Sequence, residues 1–271
     1  MMENKNIIGL NLHFCKLKYD NTFYKNQCPN INEYIVIDCT SRNRELAADL
    51  SPFFLGPVTG PDGAIATTVE QFFQCGKVYP CHDDGGKPNA AFFEWRDIMY
   101  GKQPSELSKE ELRHPQRILG YEANDCMYFP WYDFATGEYI PLDYVSSRKT
   151  AYIPNYALLV SQTPTFMRLK SMVEEGKKIA LADFDTYNYY DDGAKTKKYQ
   201  SYINKCKKDN VTPSATLEDF LNIKTMKDVL SCRFIPAGHA FVIKALLQGD
   251  LEVVDGVVID RAGLLSCCEL K

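Results

Sequence analysis

The chain has 271 residues, of which 45% are hydrophobic and 24% charged, and this globular composition excludes an intrinsically disordered or fibrous protein. Its 31 Lys and Arg against 35 Asp and Glu give a net charge of -4, which disfavours a protein that binds long duplex nucleic acid. No apolar run reaches the ~18 residues that a membrane helix needs, and no signal-peptide pattern is present, so we expect a cytoplasmic protein without membrane association.

Apolar periodicity predicts intermixed helices and strands. Runs rich in β-branched residues predict strands, which fall at 34–39 and 178–184 and in a hairpin at 251–260. Apolar residues at helical spacing predict helices, which fall at 91–101, 163–176 and 239–249. Because these elements do not alternate as βαβ units, we predict one α+β domain, mostly helical around a small sheet.

A further helix, predicted to begin at Thr67, carries the first candidate site. Thr67 and Glu70 fit the S/T-x-x-E capping box. Glu70, Gln74 and Lys77 lie at i, i+4 and i+7, on one stripe of that helix, and we expect Glu70 to line the main pocket. A carboxylate there could activate water or stabilise the oxocarbenium-like transition state of N-glycoside cleavage. Alternatively Glu70 only completes the cap and Lys77 is a solvated neighbour, although capping and catalysis do not exclude each other.

Other candidates lie in loops and at the ends of elements, and each has a structural alternative. Lys77 and Arg44 could hold phosphates, or belong to a solvated basic surface. Seven aromatic residues fall between positions 128 and 144, of which Trp131 could stack on a base or fill the core. His239 opens a predicted helix after Gly238, where it could bind a phosphate or sugar, or serve as a cap or packed side chain.

Two carboxylates end the strand predicted at 178–184. Strand alternation places Asp183 and Asp185 on the same face, where they could share a site with Glu70. Asn188 is a weaker candidate of the same kind. The alternative is that these side chains cap the following turn.

Ten cysteines are scattered along the chain without a CxxC pair. In a chain without an export signal this favours reduced thiols over a disulfide framework. Zinc requires several converging Cys or His ligands, and the chain has only four His, so we expect no metal site.

Three separated segments resemble the NADAR family, whose known members act on ADP-ribose-related or ribosylamine N-glycosides. The first comprises LSPFFLGPV, DGAIA and TTVEQFFQCGK, in which Glu70, Gln74 and Lys77 stand at the family's spacing. The others are YALLVSQTPTFMRLKSMVEEGKKIALADFD and GHAFVIKALLQGD. The chain departs from the pattern, since Pro52 replaces an Asn, Gln71 replaces a His, and YNYYDDG stands where a Trp-Gly pair is expected.

The resemblance is that of a divergent NADAR member, and it implies a fold, a function and a set of residues. It implies a single NADAR-like domain over residues 1–271, with a longer insertion-like region at 81–150 and a polar excursion at 191–215. It implies a hydrolase, an N-glycosidase acting on an ADP-ribosylated or ribosylated nucleotide or base, with no metal or organic cofactor. The partner would be a small nucleotide, an ADP-ribosylated base or a short modified nucleic-acid segment.

The roles implied for individual residues follow that chemistry. Glu70 would be the general base or an electrostatic stabiliser, and Asp185 or Asp183 would help to orient the ribose hydroxyls. The substrate-binding residues would be Lys77, Gln74, Arg44, Trp131, Asn188 and His239. The alternative function is a non-catalytic module that binds or sequesters ADP-ribose-type nucleotides.

Overall fold

The computed structural model describes residues 12–16, 31–40, 48–186 and 188–266. The strands in these ranges are β1 (Leu12–Lys16), β2 (Ile35–Asp38), β3 (Val58–Thr59), β4 (Ile65–Ala66), β5 (Phe129–Asp133), β6 (Glu138–Leu142), β7 (Ile179–Asp183), β8 (Leu251–Val254) and β9 (Val257–Asp260). The α-helices are α1 (Val69–Cys75), α2 (Ala90–Gly101), α3 (Lys109–Arg113), α4 (Tyr144–Ser147), α5 (Ile153–Val160), α6 (Pro164–Glu174), α7 (Asp192–Lys208), α8 (Leu217–Leu221), α9 (Met226–Ser231) and α10 (His239–Gln248). A π-helical segment, Arg148–Tyr152, joins α4 to α5, and the whole is an α+β fold, as predicted.

A three-stranded parallel sheet lies at the centre, in the order β1-β7-β2. Ile179 at the start of β7 pairs with both Leu12 and Ile35, which sets the register on either side. All five residues of β7 are buried, as expected for a parallel strand covered on both faces. Because parallel strands end at the same edge, β2 and β7 bring Asp38 and Asp183 to one edge, the edge where open α/β sheets usually bind ligands.

Helix α10 packs against this sheet and fixes what lies at its carboxyl edge. It contacts β7, β8, α5 and α6, and the ring of Phe241 lies 4.6 Å from that of Phe14 in β1. Most of its residues are buried, which is typical of an interior helix. Gly249, with φ of 73°, ends the helix in the left-handed conformation that glycine adopts without strain. The amino-terminal end of α10 places His239 beside the carboxyl end of β2. The ring Nε2 of His239 lies 2.6 Å from the carbonyl oxygen of Cys39.

One cluster of buried apolar side chains connects the sheet to the helices. It reaches from Leu12 to Leu264 and includes Phe72 and Phe73 of α1 together with Phe241 of α10. The helix that carries Glu70 is thus anchored on the same core as the central sheet. None of the helices in the described part of the chain is both long and apolar enough to cross a bilayer.

Most of the elements predicted from periodicity are confirmed. The strands at 34–39 and 178–184 are β2 and β7, and the hairpin β8–β9 turns on Asp255 and Gly256, whose φ angles are 51° and 77°. The polar segment at 191–215, which we predicted to be a surface excursion, contains the 17-residue helix α7. Its Lys195 is buried and donates to the carbonyl of Leu221 at 3.0 Å, a tertiary contact that composition does not reveal.

Candidate functional site

The N-cap of helix α1 determines whether the Glu70 side chain is used to cap the helix. The N-cap is Thr68, whose hydroxyl accepts from the backbone N–H of Gln71 at 3.2 Å. Our prediction of a capping box between Thr67 and Glu70 is therefore wrong by one residue. The hydroxyl of Thr67 donates instead to the carbonyl of Tyr100 at 2.8 Å. The side chain of Glu70 takes no part in the cap, so the structural alternative for this carboxylate does not hold.

Glu70, Gln74 and Lys77 form a hydrogen-bonded line, as their spacing predicted. The amide Nε2 of Gln74 donates to Oε1 of Glu70 at 2.9 Å, and Nζ of Lys77 donates to Oε1 of Gln74 at 2.5 Å. Lys77 lies just beyond the end of the helix, with Nζ 4.6 Å from the centre of the Phe73 ring. All three polar side chains belong to half-buried residues. The line fixes the Glu70 carboxylate and joins it to a cation through one amide.

Burial alters the acidity of both ends of this line. Burial raises the pKa of Glu70, and it outweighs the opposing effects of the Gln74 hydrogen bond, Lys77 and His239. Asp185 raises that pKa further. Burial also lowers the pKa of Lys77, against the effects of Cys126 and Glu70. A carboxylate whose pKa lies above the usual range is a better proton acceptor near neutral pH, which suits a general base.

The carboxyl edge of the sheet contributes Asp183, Asp185 and His239. Asp183 is buried at the end of β7, where Oδ1 accepts from the N–H of Phe184 at 2.7 Å. His239, the first residue of α10, has Nδ1 3.5 Å from Oδ2 of Asp183. A Cβ on Gly238 would lie 2.3 Å from Oδ2 of Asp183 and 3.2 Å from Cβ of Asp185. Both residues thus lie at the amino terminus of α10. Strand alternation does not place them there, because β7 ends at Asp183 and Asp185 belongs to the loop that follows.

Two tyrosines that the sequence analysis missed complete this cluster. Tyr152 is buried in the π-helical segment, and its ring lies 5.1 Å from that of Phe73 and stacks on Tyr156 at 6.0 Å. Desolvation raises the pKa of Tyr152, as do Glu70 and Asp183, so its phenol keeps its proton. Tyr144, which is 40% exposed, has its pKa raised by desolvation and, among other groups, by Asp185 and Glu70. Both phenols are therefore donors within electrostatic range of the carboxylates. The only sequence signal for these tyrosines was the aromatic-rich stretch that ends at Tyr144. Tyr152 lies in the π-helical segment, and π-helical turns are often found at functional sites.

The remaining predicted residues lie elsewhere. Trp131 in β5 pairs with Ile140 and lines a cavity of about 20 Å³ next to the Asp62–Arg96 ion pair. Asn188 is buried, and its Oδ1 accepts from the N–H of Phe14 at 3.4 Å and from the hydroxyl of Tyr190 at 2.8 Å. Asn188 therefore ties its loop to β1. Arg44 lies outside the described residues.

The two described cavities do not contain Glu70. The smaller one is lined by Phe72 and Gly76, which lie on the face of α1 opposite Glu70 and Gln74. The larger is an open groove of about 570 Å³ beside Thr67 and Thr68, before the helix begins. Our expectation that Glu70 lines the main pocket is thus wrong for both of these cavities.

Hydrogen bonds, ring contacts and charge–charge interactions connect one group of side chains. It consists of Glu70, Gln74, Lys77, Tyr144, Tyr152, Asp183, Asp185 and His239. Within the described ranges, no three His, Cys, Asp or Glu side chains are grouped so that they could hold a metal ion. Free thiols are carried by Cys39, Cys75, Cys81, Cys126, Cys206 and Cys232.

The chain matches no protein-family model, no curated protein and no solved structure. The resemblance to the NADAR family therefore stays a prediction that depends on the motifs quoted above.

Proposed function

We propose that the chain is a hydrolase that cleaves the N-glycosidic bond of an ADP-ribosylated or ribosylated nucleotide or base. One observation carries the proposal: the half-buried Glu70, with a raised pKa, is held by the Gln74–Lys77 line within electrostatic range of Asp185 and His239. Cleavage of such a bond passes through a cationic, oxocarbenium-like transition state. A group of carboxylates with a fixed general base suits that charge and the activation of water.

The other members of the cluster have roles that fit this substrate class. Lys77 is a half-buried cation next to Glu70, which suits a phosphate or diphosphate. Tyr144 offers a partly exposed aromatic ring and a protonated hydroxyl near Asp185, which suits a ribose or a base. Asp185 would orient ribose hydroxyls, and Asp183 acts through His239 as argued below.

A non-catalytic nucleotide-binding module is the second candidate, and Gln71 favours it. This residue stands where the family pattern has a His, and it is buried, with Nε2 donating to the carbonyls of Met99 at 3.0 Å and Lys102 at 2.8 Å. Gln71 thus anchors α2 and does not face the Glu70 cluster. If the family's His takes part in the reaction, its replacement here would leave binding without turnover.

The experiment measures base release from N-ribosylated bases, with and without a diphosphate, by chromatography. Glu70→Gln preserves the size of the side chain and its contact with Gln74, while Glu94→Gln, at an exposed position of α2, is the matched control. We expect Glu70→Gln to lower turnover by roughly 10²–10⁴-fold, the usual contribution of a general base. Full activity in Glu70→Gln would overturn the mechanism. A rise in Tm with ADP-ribose, without base release by the unmodified chain, would favour the binding module. ADP-ribose at a hundredfold excess over its Kd should stabilise the folded chain by about 2.7 kcal/mol.

A further inference from the structure

His239 makes two contacts that together fix the number of its protons. Its Nε2 lies 2.6 Å from the carbonyl oxygen of Cys39, a hydrogen-bond distance. A backbone carbonyl only accepts, so Nε2 must carry a hydrogen. In a neutral imidazole the other nitrogen, Nδ1, is then an unprotonated acceptor.

That second nitrogen faces an acceptor. Nδ1 lies 3.5 Å from Oδ2 of Asp183, a buried oxygen that has no hydrogen-bond partner among the described residues. The other oxygen of this carboxylate already accepts from the N–H of Phe184. Gly238 closes the space next to Oδ2, since a Cβ there would lie only 2.3 Å away. A lone pair facing a buried carboxylate oxygen is unfavourable, and one proton between the two atoms removes the conflict.

We propose that the Asp183–His239 pair carries one proton at neutral pH, on either Nδ1 or Oδ2, and that its positive charge keeps Glu70 ionised among the neighbouring carboxylates. The existence of this proton follows from the contacts above. The role of the proton rests on the proposed function. If Glu70 is the general base, the proton makes His239 a positioning residue for it.

The charged groups around Asp183 and His239 determine the effect of the proton that the pair carries. The titratable groups near the pair come from the residue after β2, from α1, from α5 with the π-helical segment, and from the loop after β7. They are Cys39, Glu70, Tyr152, Tyr156 and Asp185. Burial raises the pKa values of Cys39, Tyr152 and Tyr156, so these three stay protonated and neutral. The carboxylates Glu70 and Asp185 are the groups that favour a cation on the pair. Lys77 and His239 are the cations that lower the pKa of Glu70. Without the shared proton, Lys77 would be left to offset three carboxylates.

The proton itself can be observed by NMR, without any turnover. In the full chain at pH 7, the ring nitrogens of His239 and the carboxyl carbon of Asp183 are measured after isotope labelling. We expect either both ring nitrogens protonated, or a singly protonated ring beside a protonated Asp183 carboxyl. In Asp183→Asn the amide can donate to Nδ1, so His239 should carry a proton on Nε2 alone. A singly protonated His239 beside an ionised Asp183 in the unmodified chain would overturn the proposal.

The role of the proton is tested with His239→Gln. The Gln amide can still donate to the Cys39 carbonyl but carries no charge. The pKa of Glu70, followed by its carboxyl carbon, should rise, because one of the two cations that lower it is removed. The acid limb of kcat/KM should move by the same amount. An unchanged Glu70 titration would refute the role, whereas a shifted titration in a chain that releases no base would refute only the proposed hydrolase.

Discussion

Gly238 is the position where the smallest change in the sequence should disturb the site most. A Cβ added to this glycine would come within 2.3 Å of Oδ2 of Asp183. Real Cβ atoms keep at least 3.0 Å from such neighbours, so Gly238→Ala must displace the carboxylate or the start of α10 by about 0.7 Å. Asp185 blocks the other direction, since its Cβ is already 3.2 Å from the same point.

The displacement should affect both stability and activity. Overpacking of a buried site costs about 1–3 kcal/mol, which lowers Tm by roughly 2–12 °C for a domain of this size. A misplacement approaching 1 Å near reacting groups can reduce turnover by about 10²-fold. Gly101→Ala is the control, because nothing lies within 4 Å of its Cβ position at the end of α2. It should leave Tm unchanged or slightly raised.

The assay is thermal unfolding of both variants, combined with base release for the same samples. A Gly238→Ala chain that is as stable and as active as the Gly101→Ala control would refute the packing of α10 against Asp183. It would also remove the basis for the shared proton, since that depends on the same close approach.

Two further predictions concern buried polar side chains away from the reacting groups. Gln71→Leu leaves the carbonyls of Met99 and Lys102 without their donor, so the free energy of unfolding, from urea titration, should fall by about 2–5 kcal/mol; an unchanged value would contradict this anchor. Burial lowers the pKa of Lys244 to about 8, against an opposing effect of Asp250, so the unfolded chain binds more protons than the folded one between about pH 8 and 10.5. Stability should therefore rise with pH in that window relative to Lys244→Met, and equal pH dependence of Tm in the two chains would contradict the lowered pKa.

The sequence predicted where the elements of the site lie, because those signals are local. The spacing of Glu70, Gln74 and Lys77 predicted their line. The predicted alternation of Asp183 and Asp185 fails, because β7 ends at Asp183. The N-cap was misplaced because Thr67 and Thr68 are both good caps. Only a contact from Thr67 to Tyr100, 33 residues away, decides between them.

The rest of the site depends on long-range topology. Strand β7 is the last of the three parallel strands in sequence but the middle one in the sheet. This order brings Cys39 and Asp183 next to His239, and no local pattern encodes it. Tyr152 was missed for a related reason, since the π-helical segment that turns it toward Phe73 has no sequence signature. The aromatic-rich segment around Trp131 favoured a role in stacking on a base. Strand β5 instead places Trp131 in a cavity with Asp62 and Arg96.

The most direct test of the account is a crystal structure of the chain with ADP-ribose. If Glu70 is the general base of an N-glycosidase, the anomeric carbon of the terminal ribose should lie so that a water or hydroxyl at that carbon is about 3 Å from the Glu70 carboxylate. The phosphates should lie on the side of Lys77, and the ribose hydroxyls near Asp185. ADP-ribose bound in the groove beside Thr67 or next to Trp131, with no contact to Glu70, would contradict the account.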